Sequence, residues 1–296
     1  MSNSIASFFF YSILPCFLLF TCCSCSFETS GMFVFGSSLV DNGNNNFIQN
    51  VTSKADYQPY GIDFPLGPSG RFSNGKNVID ALGELLKLPL IPAFKNPLTK
   101  GPLILHGVDY ASGGSGILDE TGSIAKLYSL GARKFVLISV YPLGCIPFVK
   151  TTFAVSQGCL DPLNQAALLF NSRMKSLVDD LKPNLPGSNL VCINTYQIIM
   201  DIIKDPATKG FNDTTSGCCE VIPVREGGTG ILCKRSGSTC SDRSGHAFFD
   251  GLHPTEAVND LIAKKAYTSD LQSEVYPFNV EQLSKAPSRK FKLQRN

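Results

Sequence analysis

The sequence predicts an α/β domain whose mostly parallel sheet carries helices on both faces, and two observations lead there. Short apolar runs of strand length alternate with segments of helical spacing, the pattern of parallel strands joined by crossover helices. Composition is that of an ordinary globular domain, with 43% hydrophobic and 17% charged residues, far from disordered, collagenous or coiled-coil chains. Residues 32–35 read as a short buried strand that ends in the turn Gly36-Ser37-Ser38, ahead of a polar Asn-rich stretch. Residues 57–74, rich in Pro and Gly, read as loop. Residues 77–88 place Val78, Leu82, Leu85 and Leu86 on one side of a helix. After a Gly-rich passage at 111–116, residues 124–130 read as the end of a helix and 134–140 as a buried strand. A long amphipathic helix follows over 163–181, with Leu169, Phe170, Met174, Leu177 and Leu181 as its apolar side, and then a strand at 190–193.

The apolar run at residues 8–20 is shorter than the roughly 20 residues that cross a bilayer as a helix. Small residues follow it (Cys23, Ser24, Cys25, Ser26), so residues 1–26 are expected to be a secretory signal, with no stable membrane span. Residues 27–296 contain no repeat or low-complexity divider and are expected to form one secreted, extracellular domain, the cell wall being a suitable destination. Of eleven cysteines, Cys16, Cys22, Cys23 and Cys25 fall in the leader and seven remain. An oxidising compartment favours disulfides. Cys192 lies in an apolar stretch and is the expected unpaired thiol, leaving six for three bridges. Irregular cysteine spacing and only three histidines argue against zinc, and no metal or cofactor is expected. Asn50-Val51-Thr52 and Asn212-Asp213-Thr214 match the glycosylation acceptor pattern. A net charge of +2, supplied by the basic tail at 285–296, excludes a nucleic-acid partner.

For a hydrolase that uses a Ser–His pair, the base must come from His106, His246 or His253. Asp250 and His253 stand three apart on a turn before Pro254, a spacing that sets a carboxylate against an imidazole and fixes its tautomer. The same spacing also suits a plain turn with a capping Asp and a surface His. No Gly-x-Ser-x-Gly occurs, which argues against the nucleophile elbow of the α/β-hydrolases. Ser38 is the alternative: it follows an apolar run, and Gly36 permits a tight turn whose backbone N–H groups can face a carbonyl oxygen. Ser37 and Ser38 are equally ordinary turn residues.

Several blocks in order give the chain a resemblance to the plant GDSL esterase/lipase family of the SGNH hydrolase superfamily. They are Gly36-Ser-Ser-Leu-Val-Asp-Asn-Gly-Asn-Asn-Asn46, Tyr60-Gly-Ile-Asp-Phe-Pro65, Gly70-Arg-Phe-Ser-Asn-Gly75, Tyr110-Ala-Ser-Gly-Gly-Ser-Gly116, Pro142-Leu-Gly-Cys-Ile-Pro147, Phe170-Asn171, Gly217-Cys-Cys219 and Asp250-Gly-Leu-His-Pro-Thr-Glu256. The resemblance implies a three-layer α/β/α sandwich with a mostly parallel sheet. It also implies a secreted serine hydrolase of carboxylic esters, with Ser38 as nucleophile and Asp250 and His253 completing the triad. Ser38 and Gly113, with Gly114 the alternative to Gly113, would supply oxyanion N–H groups. The substrate class is a small-molecule, lipid or polyester ester.

The chain departs from the family pattern twice. Ser37 stands where relatives have Asp. Between Ser123 and Ile124 the chain skips the segment that in relatives holds a sheet strand, flanking helices and the Gly-x-Asn-Asp motif, whose Asn donates to the oxyanion. Losing one such donor costs about 10²–10³ in turnover, so impaired turnover is expected, in a sheet short of one central strand. A catalytically silent secreted binding protein and a misfolded product of a truncated gene are the alternatives.

Overall fold

The computed structural model describes residues 29–116 and 123–287; the expected leader, 1–26, lies outside them, as does most of the basic tail. The first helix, α1 (Val78–Leu85), starts where Asn77 accepts bonds from the N–H groups of Ile79 and Asp80 while the Asp80 side chain returns to the Asn77 N–H. This reciprocal cap satisfies donors that a helix start leaves orphaned. Next come α2 (Ile124–Ser129), β1 (Lys134–Ile138), α3 (Pro147–Thr152), α4 (Asp161–Asn184), β2 (Asn189–Ile193) and α5 (Thr195–Lys204). The chain continues through β3 (Asp213–Gly217), β4 (His246–Phe248), α6 (Glu256–Thr268), β5 (Val275–Tyr276) and α7 (Val280–Lys285).

This is a mixed α/β topology with small sheets. β1 and β2 run parallel in the register Lys134↔Asn189 to Ile138↔Ile193, and β5 adds antiparallel to β2. β3 and β4 form a separate parallel pair. The strand expected at 32–35 survives only as an isolated parallel bridge, Val34↔Asp109, with Asp109 bridged in turn to Ala93. Its backbone bonds run to one side: Met32 N–H to His106 O, Val34 N–H to Val108 O, and Tyr110 N–H back to Val34 O. Nor is the segment buried throughout. Val34 is 4% exposed, but Phe33 is 62% and Phe35 45% exposed. Alternate side chains of an extended segment point to opposite faces, and only one of these faces meets the core. Among the described residues β1 likewise pairs along one edge only, with β2, and is half-buried rather than buried.

The helix expected over 163–181 is α4, and its apolar stripe is only partly used. Met174, Leu181 and Val178 pack with β1 and β2, whereas Leu169, Phe170 and Leu177 are exposed. The main core joins Val34, Leu82, Ile193, Ile198, Ile202 and Ile262, with α1 packed on α6. A second cluster gathers Tyr60, Phe72 and Phe249 around Cys218, Cys219 and Cys233. The disulfides are Cys145–Cys159, Cys218–Cys240 and Cys219–Cys233. Cys192 is a buried free thiol, as the sequence reading expects, and burial pushes its pKa up to about 11. No helix among the described residues is long and apolar enough to cross a membrane.

Candidate active site

β4 delivers Asp250 and His253 to one tight turn. After Phe248 the chain folds back on itself: Phe249 N–H donates to His253 O (2.8 Å) and Thr255 N–H to Ala247 O (3.1 Å). Inside this turn Asp250 Oδ1 accepts the backbone N–H groups of Leu252 (2.8 Å) and His253 (2.7 Å). The same carboxylate faces the imidazole, with His253 Nδ1 2.8 Å from Oδ2 and 3.0 Å from Oδ1. On the other side of the ring, Nε2 lies 2.7 Å from Ser38 Oγ, across 215 positions of sequence. Asp250 is fully buried and His253 is 2% exposed, so His253 is no surface turn residue. The Phe72 ring packs 4.9 Å from the imidazole. Serine, imidazole and buried carboxylate thus form one hydrogen-bonded line, an arrangement able to move a proton off a serine hydroxyl while holding the imidazole in one tautomer.

The Ser38 turn is tied down by Gly36, whose carbonyl accepts from Ser112 N–H (3.0 Å) and Ser115 Oγ (2.7 Å). The Gly-rich passage therefore lies against the serine turn. Gly113, however, is committed elsewhere: its N–H donates to Asp41 Oδ2 at 2.9 Å, and its carbonyl accepts from Asn45 Nδ2 at 2.8 Å. To serve an oxyanion, the Gly113 N–H would have to give up or share this bond to the Asp41 carboxylate. The N–H groups of Ser38 and Gly114 carry no hydrogen bond among the described residues.

Sequence reasoning treated the Asn-rich stretch as polar and overlooked what it does. Asp41, Asn42, Asn44 and Asn45 are all buried. Asp41 Oδ1 accepts from Gly43 and Asn44 N–H, while Asn44 Nδ2 donates to the carbonyls of Asp109 and Ala111. Asp109 receives the N–H groups of Asn42 (2.6 Å) and Ala111 (2.8 Å). These side chains do for irregular loops what ladders do for strands, pairing buried backbone groups that no sheet reaches. Burial raises the Asp41 pKa, and burial beside the Asp41 charge lifts that of Asp109 to about 7. Tyr60 was also missed. Its hydroxyl donates to Asp250 Oδ2 at 2.7 Å from a fully buried position, and nothing local to a Pro-rich loop signals such a contact.

The other two histidines stand apart from this line: His106 Nδ1 meets Ser30 O, and His246 Nδ1 meets Asp242 O. The glycosylation candidates Asn50 and Asn212 are both exposed, and Asn212 Nδ2 donates to Asp242 Oδ2.

A serine–histidine–aspartate line on an α/β scaffold is the kind of site serine hydrolases use. The family model described as GDSL-like Lipase/Acylhydrolase matches residues 119–266, a range containing Asp250 and His253. The Arabidopsis thaliana protein "GDSL esterase/lipase At5g08460" is 36% identical over 340 aligned positions, covering 86% of this chain and 87% of the relative. "GDSL esterase/lipase At4g16230", also from Arabidopsis thaliana, is 34% identical over 336 positions, covering 85% and 90%. The chain belongs to the GDSL esterase/lipase family, within the SGNH hydrolase superfamily, and is classed with its carboxylic ester hydrolases. Since 86% of 296 residues is about 255, about 85 of the 340 positions aligned with the first relative have no residue in this chain.

Proposed function

We propose that this protein is a secreted serine hydrolase that cleaves carboxylic esters of lipids or other acyl groups through Ser38, His253 and Asp250. The observation that carries the reading is the 2.7 Å separation of Ser38 Oγ and His253 Nε2. His253 Nε2 takes the Ser38 proton as Oγ attacks the ester carbonyl, then returns it to the leaving alcohol. Water repeats the sequence on the acyl-enzyme, releasing the acid. Throughout, Asp250 keeps Nδ1 protonated and stabilises the imidazolium. The N–H of Ser38 meets the oxyanion. The second donor moves from Gly113 to Gly114, because the Asp41 carboxylate already holds the Gly113 N–H.

We infer a single three-layer α/β/α domain over residues 27–296, after a leader at 1–26 and short of one central strand, a reading supported by the parallel β1–β2 pair. About 85 positions aligned with the first relative are missing here, and among the described residues two edges are open to the absent strand, one on the segment around Val34 and one on β1. We assign the gap to the junction between Ser123 and Ile124. The chain's Gly-x-Asn-Asp match, Gly210-Phe211-Asn212-Asp213, lies after the gap, and its Asn212 donates to Asp242 Oδ2, so the oxyanion donor of the skipped segment is lost and turnover falls by about 10²–10³. A skipped or mispredicted exon accounts for the gap, and an uninterrupted codon junction in the gene would refute that origin.

The test is labelling of purified protein by a fluorophosphonate probe, with Ser38→Ala as control. Labelling of the wild type alone is the expected result. Label that persists in Ser38→Ala removes Ser38 as nucleophile. No label on a wild type shown to be folded by circular dichroism favours the silent binding protein, a reading to which the committed Gly113 N–H lends weight.

A further inference from the structure

We propose that Tyr60 is a positioning residue that tunes how tightly the Asp250–His253 pair holds a proton, an inference that rests on the triad reading above. The Tyr60 hydroxyl is buried among the rings of Tyr57, Phe72 and Phe249, each meeting its ring edge-on at 5.3–5.9 Å between centroids. A buried phenol must find hydrogen-bond partners, and here both of its roles are filled. Its oxygen accepts the Cys233 N–H at 3.0 Å, and its one proton goes to Asp250 Oδ2 at 2.7 Å. Cys233 is itself fixed by its disulfide to Cys219, so the acceptor side of the phenol is pinned and the hydroxyl proton has a single destination.

Asp250 Oδ2 is the oxygen nearest His253 Nδ1. The phenol and the imidazole therefore share one carboxylate oxygen. Each donor withdraws negative charge from that oxygen, so the Tyr60 bond weakens the hold of Asp250 on an imidazolium. It also stops the carboxylate from turning away from the ring. Burial and the Asp250 charge keep the phenol pKa well above its ordinary value, so it remains a donor at any working pH. Among the described residues, the titratable groups facing the pair are Tyr60 and Tyr57 from the Pro-rich loop, Tyr141 after β1, whose hydroxyl donates to Leu252 O, and Ser38. Arg235 stacks over the Tyr57 ring at 3.9 Å. None of these other groups donates to Asp250.

The experiment follows the His253 imidazole by nitrogen-15 NMR titration in the wild type and in Tyr60→Phe, with His253→Gln assigning the signal among the three histidines. Phenylalanine keeps the ring packing and deletes only the donor. The His253 midpoint is expected to rise by about one pH unit in Tyr60→Phe, the scale of one charge-assisted hydrogen bond. The acidic limb of the fluorophosphonate labelling rate should move the same way. A second variant, Tyr60→3,5-difluorotyrosine, keeps ring and donor with a more acidic hydroxyl, and is expected to lower the midpoint; it decides the matter if Tyr60→Phe does not fold. An unmoved midpoint in a folded variant overturns the inference and leaves Tyr60 as core packing. A midpoint that moves while the wild type takes no label overturns Ser38 as nucleophile and supports the Tyr60 role. Label on Ser38 with no movement does the reverse.

Discussion

Asp80→Ala tests the buried ion pair that anchors the loop carrying Phe72. Arg71 is 5% exposed and the Asp80 side chain is fully buried. The guanidinium grips the carboxylate with two bonds, Nε to Oδ2 at 2.5 Å and Nη2 to Oδ1 at 2.8 Å. Truncating Asp80 leaves a buried cation in contact with the Ser69 hydroxyl (3.0 Å) and the face of Phe64 (4.5 Å), with no carboxylate bonded to it among the described residues. Breaking a buried pair from one side costs about 3–5 kcal/mol. Half of the Asn77 capping box goes with it, adding about 1 kcal/mol. Against a total stability of about 5–15 kcal/mol, a loss of about 4–6 kcal/mol is a large share, and at about 2–4 °C per kcal/mol the melting temperature should fall by about 8–24 °C. Urea denaturation followed by circular dichroism measures it, with an unchanged slope expected because the surface exposed on unfolding is nearly the same. Because Phe72 adjoins Arg71 in the chain and packs on His253, probe labelling should slow as well. A loss under about 1 kcal/mol would mean that water or relaxation compensates the cation, and the argument from the buried pair would fail.

Three further outcomes follow from the same structure. Burial lifts Asp109 from 3.8 to about 7, so between about pH 4 and 7 the native chain keeps a proton that the unfolded chain has released. Stability from this site is therefore greatest in acid and declines as pH rises through that window, by at most about 4 kcal/mol. Asp109→Asn should flatten the decline in urea midpoints from about pH 4 to pH 8, and an unaltered slope would contradict the reasoning. Cys192 is buried with its thiol pKa pushed up to about 11, so iodoacetamide should leave it unmodified in the native protein and alkylate it in denaturant, as read by peptide mass spectrometry; rapid native alkylation would count against this. Asn171 accepts the Val140 N–H (2.9 Å) and donates to the Val140 carbonyl (2.7 Å). Asn171→Ala should cost about 2 kcal/mol by orphaning both backbone groups, and a neutral result in the same denaturation assay would show that water replaces them.

Local patterns were enough to find what is decided locally. The Asp250–His253 spacing places carboxylate and imidazole in one turn, and the structure keeps them 2.8 Å apart. The apolar run around Cys192 reads as β2 with a buried thiol, and Val78 with Leu82 and Leu85 reads as α1. Each of these rests on periodicity or spacing over a few residues, where side-chain direction is fixed by the backbone. What needed the tertiary structure is everything that depends on which distant segments meet. Spacing alone left Ser38 an ordinary turn residue; its place 2.7 Å from His253 Nε2 depends on a contact across 215 positions. Tyr60 on Asp250, and Asp41 on the Gly113 N–H, are likewise long-range pairings that no window of sequence encodes. The expected strand at 32–35 shrank to a single bridge for the same reason: its apolar residues fix its tendency to extend, but a strand exists only where a neighbour satisfies its backbone.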